Sequence, residues 1–199
     1  DALFAGTGVI CDVPEVARAT KAHGVINASP DEDGTLRRLP IMVRVDGHTY
    51  PSLALAAVQL ADPKELALER VSDGTLQLRR DARRLRLDSR GNAWLRLRGS
   101  RRTYRYVSAV DVLNERVPAG SLDNTIVFVG ATALGVRDTV ATALDASLPG
   151  VELHATLADM LLGGPASARP EFAETYELAS AVVASLFAAV AMVAFGGAR

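Results

Sequence analysis

The chain has 199 residues, about half of them apolar, and a formal charge of −1. That is enough for one sizeable core plus an appendage and too little for two full domains, and the overall charge calls for no nucleic-acid or other polyanionic partner. A single cysteine, Cys11, excludes an internal disulfide and a thiolate zinc site.

In chain order, the first strong signal is GVINASPDEDGTLRRLP, residues 24 to 40. Apolar-rich runs at 24–29 and 36–45 flank Pro30-Asp31-Glu32-Asp33-Gly34, a set suited to a turn, so the two runs are expected to pair as strands. Asp31-x-Asp33-Gly34 resembles the start of a calcium loop, but a twelve-residue loop opened by Asp31 would have Leu36 in place of the turn glycine and Met42 in place of the bidentate glutamate. Asp31, Asp33 and Gly34 are therefore read as a structural turn whose acids pair with Arg37 or Arg38, and no metal site is expected. Asp46-Gly47 marks a second turn. Ser52 is a good N-cap for a helix over 53–61, which Asp62-Pro63 ends.

Eleven arginines fall between Arg79 and Arg105, against Asp81 and Asp88, while the remainder is acidic. Within this part, leucines alternate with charged residues at 85–88 and 94–98 around the loop Ser89-Arg90-Gly91-Asn92, which predicts a hairpin with a buried leucine face and a solvated arginine face. As a nucleic-acid surface it lacks an aromatic array beyond Trp94, Tyr104 and Tyr106. A short helix is predicted at 108–117, a buried strand at 125–132 and a helix over 151–162, opened by Pro149-Gly150 and closed by Gly163-Gly164-Pro165. Residues 178–195 then run for eighteen positions without a charge, the length of a membrane-spanning helix. Glu171, Glu174 and Glu177 before it and Arg199 after it favour an outside N-terminal part. Small residues at 181, 185 and 189, and at 180, 184 and 188, form ridges that allow close helix approach.

The glycines of GATALG (130–135) after a strand invite a phosphate-loop reading, but Val136 and Arg137 stand where its lysine and hydroxyl belong, and a close-packed strand end is the simpler account. Glu152 and His154 lie two apart on a predicted helix and so point about 200° from each other, and position 158 is alanine rather than a second histidine. His154 is read as a core histidine. No Gly-x-Ser-x-Gly elbow is present, and no catalytic residue is assigned.

Taken in order, residues 24–40, YPSLALAA (50–57), IVFVGATALGVRD (126–138) and PGVELHA (149–155), followed by the apolar span, resemble the second type of CHASE domain, the cyclase- and histidine-kinase-associated sensory extracellular domain of bacteria. The matching positions are Gly24, Asn27, Pro30, Asp31, Asp33, Gly34, Arg37, Arg38 and Pro40, then Ser52 and Leu53, then Gly130, Ala131, Thr132 and Asp138, then Pro149, Gly150, Glu152 and His154. The family's usual proline soon after the threonine is missing from 140–148. The resemblance implies an extracytoplasmic input module held between membrane helices, the first of them preceding Asp1, and joined to a cyclase, a kinase or a diguanylate cyclase. The expected architecture is α/β, a mixed sheet with flanking helices, in a sensor domain over 1–170, then a linker and transmembrane helix over 171–199. Asp138, Glu152, His154, Thr132, Arg37 and Arg38 are the candidate ligand-binding residues. The expected partners are an unidentified small-molecule or environmental signal, the membrane and a second copy in a homodimer, with no cofactor and no nucleic acid. The alternative is a structural dimerisation module that spaces two effector domains without binding a ligand.

Overall fold

The computed structural model describes residues 3–6, 10–72, 74–132, 138–164, 166 and 173–196, and the chain divides into two units, residues 1–168 and 169–199. The first holds, in order, β1 (Phe4–Gly6), α1 (Pro14–Ala19), β2 (Arg38–Pro40), β3 (Met42–Val45), β4 (His48–Pro51), α2 (Leu53–Ala61), β5 (Leu66–Arg70), β6 (Leu76–Arg80), β7 (Arg83–Leu87), β8 (Asn92–Trp94), α3 (Ala109–Leu113), β9 (Thr139–Val140), β10 (Leu148–Pro149) and α4 (Gly150–Leu162). Three sheets form, ordered β1-β3-β4, β2-β8-β7-β6-β5 and β10-β9, with β1 parallel to β3 and the other ladders antiparallel. The architecture is the expected mixed α/β.

Local chemistry accounts for the best-anticipated elements. Asp46 and Gly47 both adopt positive φ, as a two-residue hairpin turn between β3 and β4 requires. At the start of α2 the Ser52 hydroxyl accepts a hydrogen bond from the Leu55 N–H at 3.3 Å. Leucine alternation puts Leu76, Leu78, Leu85 and Leu87 into one core with Leu36, Leu39, Ile41, Leu55 and Val58, and α4 closes it with Leu153 and Leu157. Helices α2 and α4 pack against each other.

Three expectations change. Residues 24–29 do not pair with 36–45. Val25 instead bridges Ser52, donating to the Pro51 carbonyl and accepting from the Leu53 N–H, both at 2.9 Å. The run 36–45 also breaks at Ile41 into β2 and β3, which join different sheets. Pro40, which has no N–H to continue a ladder, ends β2. The arginine-rich hairpin is longer than predicted and differently paired, because β7 lies along the whole of β6 and meets β8 only at Leu87↔Ala93. The strands β5 and β6 were not anticipated. Finally, 125–132 joins no sheet and is only half buried. Ile126 and Phe128 pack on the core, whereas Val127 and Val129 are 55% and 90% exposed. A continuous apolar run offers no periodicity from which such an alternation could be read.

The second unit holds α5 (Ala173–Gly196), whose Thr175–Val193 part is long and apolar enough to cross a membrane and is exposed along its length. The hydroxyls of Ser180 and Ser185 bond back to the carbonyls of Glu177 and Ala181 at 2.9 and 2.8 Å, so neither is left bare on an apolar surface. Residues 133–137, including Arg137 of the glycine-rich loop, as well as Pro165, Glu171 and Arg199, lie outside the described residues.

Candidate functional site

Gly130 and Asp138 lie against the first turn of α4, at Val151 and Gly150, and His154 follows one turn on. The β9–β10 ladder sets Thr139 opposite Pro149, and the Gly150 N–H donates to the Asp138 carbonyl at 3.0 Å. A Cβ on Gly150 would stand 2.6 Å from Asp138 Oδ1, and one on Gly130 would stand 2.6 Å from the Val151 Cβ. The Asp138 carboxylate could swing aside, but the Val151 Cβ cannot, so Gly130 sits in a close-packed contact. The Asp138 carboxylate lies where the positive end of the helix dipole favours an anion.

His154 is one turn further along α4 and 8% exposed, with no hydrogen-bond partner for Nδ1 among the described residues. Burial holds its proton affinity below the usual value, an effect that the negative charge of Asp138 opposes. The ring is neutral at neutral pH and carries an unused buried polar atom. It is a core histidine, as anticipated, but an unsatisfied one.

Glu152, 4% exposed, has different company. Its Oε1 accepts from the Tyr106 hydroxyl and from the Arg102 N–H, the latter at 2.7 Å. Burial, and then the adjacent carboxylate, hold the Tyr106 hydroxyl well above its ordinary pKa. Glu152 and His154 can both be buried although they point apart, because α4 buries eight of its thirteen residues and is covered on more than one side. Tyr106 was missed as a site residue. Its only sequence signal is a polar-tipped aromatic next to Arg101-Arg102, 46 residues from its partner.

The turn residues form a separate, self-satisfied group. Arg37 binds Asp33 through two bonds of 2.9 and 2.7 Å and reaches Asp31 at 3.0 Å. Arg38 pairs with Asp31, reaches Asp88 at 3.1 Å and lies 5.0 Å from the centre of the Trp94 ring. The arginines, Arg38 first for Asp31 and Arg37 for Asp33, hold both carboxyls below the usual range. Asp88 also accepts from the N–H groups of Arg90 and Asn92, so the network ties the turn to the β7–β8 connection. Gly34 has the positive φ that closes the turn. Arg37 and Arg38 are thus each paired with two carboxylates. Thr132 is exposed.

Among the described residues no three His, Cys, Asp or Glu side chains stand close enough to hold a metal ion. A cavity of about 430 Å³ opens between α2 and the β3–β4 hairpin, lined by Met42, Pro51, Leu55, Leu60 and Leu66 with Gln59 among them, and it holds none of the predicted site residues.

The family model for the CHASE2 domain matches residues 2–194. No curated protein and no solved structure matches the chain.

Proposed function

Since the chain belongs to the CHASE2 domain family, an extracellular sensory domain family found in signalling proteins, we propose that it is the extracytoplasmic input domain of a membrane-anchored bacterial receptor. In this reading the signal passes from α4 through the linker and α5 to a cytoplasmic effector, such as an adenylate or guanylate cyclase or a protein kinase, and the segment itself catalyses nothing. The observation that carries the reading is the buried His154 on the first turns of α4, its Nδ1 unpartnered among the described residues and within electrostatic reach of Asp138, on a helix that ends at Leu162 and is followed from Ala173 by one of membrane-crossing length. A ligand that satisfied these groups would favour one setting of α4 over another, and unequal binding to two arrangements is all that signalling requires. Glu152, held by Tyr106 and Arg102, keeps α4 in place.

The test is effector output from the full-length receptor. Asp138→Asn and His154→Gln are expected to shift output in cells while each variant keeps a wild-type circular dichroism spectrum. Unchanged output from both would remove the site.

A second reading, a dimerisation module that senses nothing, draws on the exposed ridge of Ala181, Ser185 and Ala189 on α5. Under it, Ser185→Leu, which sets a large side chain on the ridge, abolishes crosslinked dimers and output together, whereas Asp138→Asn changes neither.

A further inference from the structure

The β6–β7 hairpin concentrates positive charge in an unusual way. Arg80 stands directly opposite Arg83, and Arg79 opposite Arg84. Like charges facing each other across a ladder repel. On one side the repulsion is relieved, since Arg79 pairs with Glu69 at 2.8 Å and Glu65 at 3.3 Å. Arg80 is 5% exposed and reaches the backbone carbonyl of Asp62 and its carboxylate, the latter at 2.9 Å, but that carboxylate also serves Lys64 at 3.6 Å. The Arg80 Nε has no partner among the described residues. Among the described residues neither Arg83 nor Arg84 has a carboxylate partner.

These three arginines line one cavity of about 130 Å³, whose apolar wall includes Leu85, Met160 and Leu161. The nearest acid on α4, Asp159, is taken by two bonds of 2.8 and 2.7 Å from Arg98. The Arg83 guanidinium lies over the C-terminal end of α4, so close that a Cβ on Gly163 would stand 2.1 Å from it. The other nearby acid, Asp81, sits in the two-residue turn between the strands and is exposed.

We propose that this cavity binds a phosphoryl-type oxyanion, either free phosphate or the phosphodiester of an anionic lipid headgroup. Guanidinium groups match such oxygens in geometry and charge, and a buried arginine with an unused N–H presents the strongest kind of donor. Alternation along β7 sets Arg83 on the same face as Arg80 and Leu85 and turns Arg84 to the other, so an anion beside Arg80 and Arg83 would relieve the repulsion between that pair. The volume, well below the roughly 300–1,000 Å³ of pockets that enclose whole drug-sized ligands, suits a single phosphoryl group. The site lies at the opposite end of α4 from Asp138, and it does not depend on the signalling reading.

The experiment uses the full chain in lipid nanodiscs. In one arm, inorganic phosphate is titrated by calorimetry into protein held in phosphatidylcholine discs. In the other, without phosphate, hydrogen exchange over 76–87 and 160–164 is compared between phosphatidylcholine discs and discs that also contain phosphatidylglycerol. Saturable heat in the first arm identifies the free anion, and protection in the second identifies the headgroup. Either response should weaken about tenfold or more in Arg83→Gln, the loss of one charge-assisted contact, and much less in Arg84→Gln. Because Arg83 also packs on Gly163, Arg83→Lys, which keeps the charge, should retain part of the response, and a wild-type circular dichroism spectrum of each variant guards against a folding defect. Arg90→Gln, an exposed arginine of another turn, should match wild type. Silence in both arms, a response that survives Arg83→Gln, or one equally reduced by Arg90→Gln overturns the proposal.

Discussion

Helices α4 and α5 are both rich in leucine, valine and alanine, yet they meet opposite fates. In α4 the apolar residues alternate with Glu152, His154, Thr156 and Asp159, and protein covers the helix, leaving Leu153 and Leu157 fully enclosed. In α5 the central eighteen residues carry no charge, and the same kinds of side chain, Leu186 and Phe187 among them, are exposed. The more polar helix is therefore the buried one. Polar groups enter a protein core when partners meet them, as Tyr106 and Arg102 meet Glu152. A helix apolar all round and uncovered by protein needs another apolar phase, and its length is that of a bilayer core.

The contrast breaks most sharply at a single leucine. Leu157→Ala should cost about 2–5 kcal/mol, the usual penalty for a cavity in a closed core, measured by denaturant unfolding of the full chain in detergent micelles. Trp94, the sole tryptophan, stands in β8 and reports on the first unit. Leu186→Ala should leave that transition within about 0.5 kcal/mol, as exposed substitutions do. A Leu186→Ala loss equal to that of Leu157→Ala would mean that α5 is packed against protein rather than open.

A smaller effect sharpens the role of partnered polarity. Glu152→Gln keeps the shape of the side chain but weakens the acceptor for Tyr106 and Arg102, and should cost about 1–3 kcal/mol in the same assay. Tyr106→Phe in the Glu152→Gln background should then add little, because the two act as one pair. Full additivity would show that the contact contributes nothing.

The smallest effect is in pH. Since burial lowers the proton affinity of folded His154, the unfolded chain takes up a proton first as pH falls through about 6.5. Stability then declines with acidification until the folded ring protonates as well. His154→Gln should flatten that decline between pH 7 and 5. A separate loss is expected at lower pH, where Asp145, held at about 2 chiefly by Arg101, stabilises the fold above the ordinary aspartate range and ceases to as pH drops through it. His154→Gln should leave this second limb unchanged, and an unaltered first limb would remove His154 as its source.

How much of this was legible in the residues follows from the range of the forces. Helix α2 was bounded correctly by Ser52 and by Asp62-Pro63, and α4 by Pro149-Gly150 and Gly163, because caps and breakers act within one turn. The pairing of Asp31 and Asp33 with Arg37 and Arg38 was anticipated too, since these groups lie within seven residues of one another. The leucine alternation at 85–87 foretold which face is buried but not which strand lies alongside, and the β6 partner went unseen. Period two defines a face and leaves register to the turns, here the Asp81-Ala82 turn whose Asp81 adopts positive φ.

By itself, then, the amino-acid sequence determined the family, the mixed α/β class, the helix ends, the charged turn and a span of membrane length. The family rests on the order of its motifs, and the rest on composition, on periodicity and on contacts between near neighbours. Only the tertiary structure decided that 24–29 bridges Ser52, that Val127 and Val129 remain exposed, that Glu152 is answered by Tyr106 while His154 Nδ1 is not, and that Arg80, Arg83 and Arg84 share a cavity. Each of those depends on which distant residues remove water from a group and which of them offer it a partner, and desolvation is a property of the assembled core rather than of any stretch of chain.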